Sequence, residues 1–119
     1  MIKAEELRIG NWVIYASMWQ QVYSIGETSI NIAQEPLKIN MIKPIQLTEE
    51  ILLKCRFEYM EETGSYADDK HLIQQSSDRW LFMPYCTNDD DCYIQIQFLH
   101  QLQNIYYFNS VFTELQFKP

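Results

Sequence analysis

Between Tyr93 and Phe108 the sequence YIQIQFLHQLQNIYYF changes its apolar period with no glycine or proline to mark the change. Up to Phe98 the alternation is strict. Ile94, Ile96 and Phe98 point one way and Tyr93, Gln95 and Gln97 the other, as in a half-buried strand. From Leu99 onward the apolar positions become Leu99, Leu102, Ile105 and Tyr106, a stripe that suits one side of a helix. A strand that runs straight into a helix leaves no room for a long connection. The chain is therefore expected to be α+β, with that helix seated on the core through its stripe.

The other side of the helix carries His100, Gln103, Asn104 and Tyr107, again spaced three, four and seven apart. A solvated face ordinarily carries Glu and Lys. An imidazole, two amides and a phenol admit two readings. Amides hold donors and an acceptor together, so the row can bond the backbone of neighbouring segments. Alternatively it lines a pocket or partner surface, where neutral donors and rings fix a polar ligand. Tyr93 and Gln95 present the same residue types immediately upstream, which extends the second reading to one polar-aromatic wall. Arg79 is the cation that would meet a phosphate there. The candidate ligand-binding set is His100, Gln103, Asn104, Tyr107, Tyr93, Gln95 and Arg79.

The rest of the chain reads as short strands and one more helix. Trp12 to Ala16, Trp19 to Ile25 and Ser29 to Ala33 are β-rich runs, the last two joined through Gly26-Glu27. They suggest a curled antiparallel sheet of the kind SH3-like barrels use. Pro44 keeps Met41 to Leu47 extended. Thr48 is an N-cap, Glu49 and Glu50 suit the first turn, and Ile51, Leu52 and Cys55 face the core of a helix ending near Arg56. Phe57 to Met60 returns to strand. The polar stretch from Glu61 to Asp78 reads as a long loop or hairpin excursion, with a short strand at His71 to Gln74. Arg79 to Tyr85 is a buried strand, Cys86 to Asp91 a turn, and Thr113 to Phe117 a last short strand. The expectation is a single α+β domain over residues 1–119, a curled antiparallel sheet with two helices.

Nothing in the pattern points to catalysis. His71 and His100 are the only histidines, and no serine sits in a strained strand-turn-helix motif. Cys86 and Cys92 lie too far apart for a zinc knuckle, and the NDDDC stretch lacks the alternation and glycine of a calcium loop. Paired acids such as Glu49-Glu50, Glu61-Glu62 and Asp68-Asp69 are sequence neighbours that point apart. The chain is read as no enzyme, and no cofactor or metal is expected. A formal net charge of −7 repels nucleic-acid phosphates, which disfavours nucleic acid as a partner. Three cysteines, an odd number, and the absence of an apolar stretch in MIKAEELRIG point to reduced thiols in a cytoplasm. No run approaches the roughly 20 apolar residues of a membrane helix.

Three segments, LRIGNWV from Leu7, PIQLTEEILLKCRFE from Pro44 and LHQLQNIYYF from Leu99, resemble in the same order a family of small uncharacterised proteins. These are encoded by phages and mobile elements of gut anaerobes. The family's middle segment usually runs LTEEWLLKFGFE, so Cys55-Arg56 stand where it has Phe-Gly. Its end usually runs HQLQNLYFALTGEELEI, where this chain has YYFNSVFTELQF. The resemblance implies a phage setting, in which small acidic proteins act by occupying something. The expectation is a non-enzymatic, oligomeric binding protein of the host cytoplasm that sequesters a small nucleotide-derived immune signal, an anti-defence sponge. The alternative is a protein-interaction module that inhibits or adapts a host protein through a sheet edge or its tyrosine-rich surface.

Overall fold

The computed structural model describes residues 2, 6–25, 30–32, 35–37, 41–68, 71–84, 93–109 and 113–117. Among them the class is α+β, built from two antiparallel meanders and two helices. The first sheet runs β1 (Trp12–Tyr15), β2 (Met18–Ile25), β3 (Ile30–Ile32) and β4 (Glu35–Leu37), in chain order. β1 and β2 are joined by Ala16-Ser17, both at positive φ, the geometry that tight hairpins require. A register shift between Val22 and Ser24 adds local twist to this open sheet. β4 was not foreseen, because Pro36 argues against a strand. It is tolerated since β4 is the sheet's edge.

An extended stretch then crosses from one sheet to the other. Lys43 bonds Ile14 of β1 in both directions, and Gln46 bridges to Phe98. α1 (Glu49–Lys54) starts as its cap residues dictate: Thr48 is extended, and its hydroxyl accepts the Ile51 N–H at 3.3 Å. The helix ends at Lys54, two residues before the expected end near Arg56, and Arg56 adopts φ +70° as the chain turns away.

The second sheet is β5 (Glu58–Met60), β6 (Ser65–Ala67), β7 (His71–Ser76), β8 (Arg79–Pro84) and β9 (Ile94–Ile96), again in chain order. Within 61–78 the hairpin alternative holds and the loop alternative does not: β6 and β7 pair antiparallel, and the expected strand at His71 to Gln74 lies within the longer β7. Ser65, Tyr66 and Ala67 are all buried, and Tyr66 lies opposite Ile73 with its ring edge-on to Trp80. Short strands of this kind are decided by what they pair with, not by their own period. Residues 113–117 form no strand. Leu115 is buried in the core and Phe117 packs its ring on Trp12 and Trp19, so packing rather than a ladder holds this tail. The expected turns at Gly26-Glu27 and Cys86 to Asp91 lie outside the described residues.

α2 (Leu99–Asn109) stands between two apolar clusters. Its Leu99 and Leu102 are fully buried against Ile73, Trp80, Phe82 and Ile96 of the second sheet and Ile51 and Leu52 of α1. A smaller cluster of Ile2, Leu7, Val13, Val22 and Ile42 fills the first sheet. The polar side of α2 faces the segment that leads into β1. No helix among the described residues is long and apolar enough to cross a membrane.

Candidate functional site

The row on α2 is an internal seam. Gln103 is 3% exposed; its Oε1 accepts the Trp12 N–H at 2.8 Å and its Nε2 donates to the Gly10 carbonyl at 3.1 Å. A side-chain amide that engages the C=O and N–H flanking one residue imitates a neighbouring strand. It thereby satisfies the Trp12 N–H at the entry to β1 and shares the Gly10 carbonyl with Gln21 Nε2, which donates to it at 3.1 Å. Asn104 works beside it. Its Nδ2 donates to the Glu6 carbonyl at 2.7 Å, and its Oδ1 accepts from Asn11 Nδ2 at 2.8 Å and from Arg8 Nε at 3.2 Å.

The segment they hold is a tight turn. Asn11 N–H donates to the Arg8 carbonyl at 3.0 Å, with Gly10 at φ +96° in the third position, which suits glycine alone. The fully buried Asn11 side chain accepts the Arg8 N–H at 2.7 Å and so locks the turn from inside. Arg8 reaches outward across it. Its guanidinium pairs with Glu114 of the tail and lies over the Tyr107 ring, 4.1 Å from the centroid.

His100 is buried, with Nε2 3.3 Å from the Glu6 carboxylate and its ring stacked on Phe98. Among the described residues its Nδ1 has no hydrogen-bond partner. Burial holds its pKa below the usual imidazole value, and Glu6 opposes that shift only in part.

Sequence reasoning grouped seven residues, and the structure divides them. His100, Gln103 and Asn104 face the fold's own N-terminal segment, where their polar atoms are engaged as described, rather than an open cavity. Tyr107 sits half-buried under Arg8. Gln95 and Arg79 are exposed on the other pleat from the buried Trp80, Phe82 and Ile96, and Tyr93 is exposed beside them. No continuous wall joins the two groups, because α2 packs on the sheet's inner side while Arg79 and Gln95 point outward. Arg8 and Asn11, which sequence reasoning did not single out, complete the seam. Their signal was the close turn at Gly10.

Other chemistry is sparse among the described residues. Asp68 accepts the His71 N–H at 2.7 Å and lies 3.1 Å from His71 Nδ1, an arrangement that closes the turn between β6 and β7. The His71 ring is enclosed by Phe82 and Tyr106, so the pair faces aromatic carbon rather than a cavity. Burial pushes the Cys55 thiol up to about 12, which makes it a packing group and not a nucleophile. No group of three His, Cys, Asp or Glu among the described residues is placed to hold a metal ion. Cys86 and Cys92 lie outside them.

Two accessible features remain. An open groove of about 530 Å³ lies between β1, β2 and α1, with Ile14, Trp19, Ile45 and Ile51 as its apolar lining and Gln46, Thr48, Glu50 and Lys54 as polar lining. The strands also display large apolar side chains to solvent: Met18, Trp19 and Tyr23 on β2, Tyr59 and Met60 on β5, Ile94 on β9. No family model, curated protein or solved structure matches this chain.

Proposed function

We propose that the chain is a non-enzymatic binding protein of phage type that acts by occupying a protein of its bacterial host. One observation carries this choice between the two expected occupants. The amides of Gln103 and Asn104 are engaged by Glu6, Gly10, Asn11 and Trp12, which speaks against these two as contacts for a small ligand. Large apolar side chains reach solvent on β2, β5 and β9 and on both helices, at Leu53 and Phe108, and Trp19, Tyr23 and Tyr59 are among them. Such residues supply most of the energy of protein interfaces. Purification of the tagged chain from host cells, followed by native mass spectrometry, tests the reading. A stoichiometric protein with no small molecule is expected. The chain alone, releasing a nucleotide on denaturation, overturns it.

A second reading keeps sequestration of a small nucleotide-derived signal and moves it to the groove. There Trp19 offers a ring for stacking, Gln46 an amide and Lys54 a cation. The same mass measurement decides between them, and also reports whether the protein assembles as the expected homo-oligomer. Both readings place the protein in the host cytoplasm.

A further inference from the structure

We infer that the open edge of β5 takes up an extended, cation-bearing apolar segment of a partner protein as an added strand. The inference rests on the protein-binding reading above and names where and how the partner is held.

β5 is the first strand of its sheet, and among the described residues no strand pairs with its other side. Glu58, Tyr59 and Met60 are all exposed. An unpaired edge presents a row of N–H and C=O groups to any chain of suitable geometry. Natural edges are blunted by brevity, by charge, by proline or by a bulge. β5 is short, at three residues, and carries one charge, Glu58, while its other two side chains are uncharged. Tyr59 is 51% and Met60 39% exposed, on opposite pleats, and the Tyr59 ring is braced against Tyr66 at 5.1 Å. α1, which leads into the strand, adds Leu53 at 49% exposure. These side chains would cover alternate residues of an incoming strand.

Charge decides the occupant. Glu58, Glu61 and Glu62 are exposed along the strand and its following turn, with no cation among residues 58–62. Upstream, Lys54 is engaged by Glu50 at 3.6 Å, and exposed Arg56 is the one remaining cation among residues 54–62, set against the three acids Glu58, Glu61 and Glu62, so the edge stays negative. A second copy of this chain, paired antiparallel through β5, would bring two such carboxylate sets together, and like charges across a ladder are destabilising. A segment alternating aliphatic residues with Lys or Arg meets the same edge with opposite charges. The acids therefore repel self-pairing while admitting a basic strand.

Two fluorescein-labelled peptides test this on the full chain by anisotropy: one alternates Lys with Val, and the other has Glu in place of Lys. The Lys peptide is expected to bind and the Glu peptide to fail. The Met60 carbonyl accepts the Gly64 N–H at 2.9 Å and so faces β6, which leaves the Tyr59 amide to report the open edge; its hydrogen exchange is expected to slow when the Lys peptide is added. The triple variant Glu58→Lys, Glu61→Lys, Glu62→Lys alters only exposed side chains. It is expected to lose at least tenfold in affinity for the Lys peptide and to gain the Glu peptide. Absence of binding by either peptide overturns the inference, as does binding that leaves β5 exchange unchanged or ignores the charge reversal. A dimer in sedimentation without peptide, with β5 already protected, assigns the edge to a second copy and overturns it too. If the triple variant still recovers the same stoichiometric host protein, the edge assignment falls and the protein-binding reading stands. If the unaltered chain recovers none, that reading falls.

Discussion

The guanidinium carbon of Arg8 lies 4.1 Å from the centre of the Tyr107 ring, which joins the N-terminal turn to the last helix through a cation and a π face. The same side chain donates to Asn104 Oδ1 at 3.2 Å and to the Gln103 carbonyl at 3.4 Å, and it pairs with Glu114 through both terminal nitrogens. Three segments far apart in sequence thus meet at one residue. Glu114 is half exposed, so its ion pair is partly screened and contributes at the low end. The fork to Asn104 and the ring contact carry more. Arg8→Ala is expected to cost about 2 kcal/mol. Arg8→Lys should recover little of that, because an ammonium cannot hold the fork and the ring together. Urea midpoints of the two variants check this. A lysine variant close to the native midpoint would reduce Arg8 to a point charge.

Gln103 gives a sharper test of the seam. Replacing it with Leu preserves bulk but strands the half-buried Trp12 N–H, while the Gly10 carbonyl keeps its bond from Gln21 Nε2 at 3.1 Å. The expected loss is about 2 kcal/mol. Gln103→Glu keeps the acceptor for Trp12 and removes the donor to Gly10, and is expected to be destabilising as well. A Leu variant as stable as the native chain would show that the Trp12 N–H finds another partner. Thermal unfolding followed by circular dichroism measures both.

What was legible in the sequence was local. The stripe Leu99 and Leu102, the cap at Thr48 and the acids at Glu49 and Glu50 announce themselves within a few residues, because helix periodicity and capping are short-range. What the polar side of α2 touches was not legible. Gln103 and the backbone it satisfies are separated by ninety-one positions, and an amide gives no sign of whether it will meet water, ligand or peptide. Strand β6 was obscured for a similar reason, since Tyr66 becomes a strand residue only by lying opposite Ile73 and against Trp80. The segments LRIGN and HQLQN, two of the three on which the family resemblance rests, turn out to be the two halves of this one seam.

The turn after α1 offers a stabilising change. Arg56 holds φ +70°, a conformation costing an L-residue about 1–2 kcal/mol and costing glycine almost nothing. Arg56→Gly removes that strain and adds unfolded-chain entropy of roughly 0.5–1 kcal/mol. A net gain of up to about 1 kcal/mol is expected, seen as a rise in Tm of a few degrees. Gly10→Ala should do the reverse. No atom lies within 4 Å of an added Cβ, so the loss expected there, about 1 kcal/mol, is backbone strain and not a clash.

His100 predicts the shape of the acid limb. Burial holds its folded pKa below the unfolded value of 6.5, so the unfolded chain binds the proton more readily. The contribution is therefore complete above about pH 6.5, declines as the pH falls below it, and levels off once the pH is under the folded pKa. Protonation would also place an N–H at Nδ1, which has no acceptor among the described residues. Urea midpoints between pH 8 and 4 should fall more steeply for the native chain than for His100→Asn, in which no proton is taken up at this position. Glu6→Gln removes the carboxylate that opposes the shift. It should lower the folded pKa further, so that the decline continues to a lower pH before it levels. Parallel pH profiles for the native chain and His100→Asn would show that the buried imidazole titrates alike in both states.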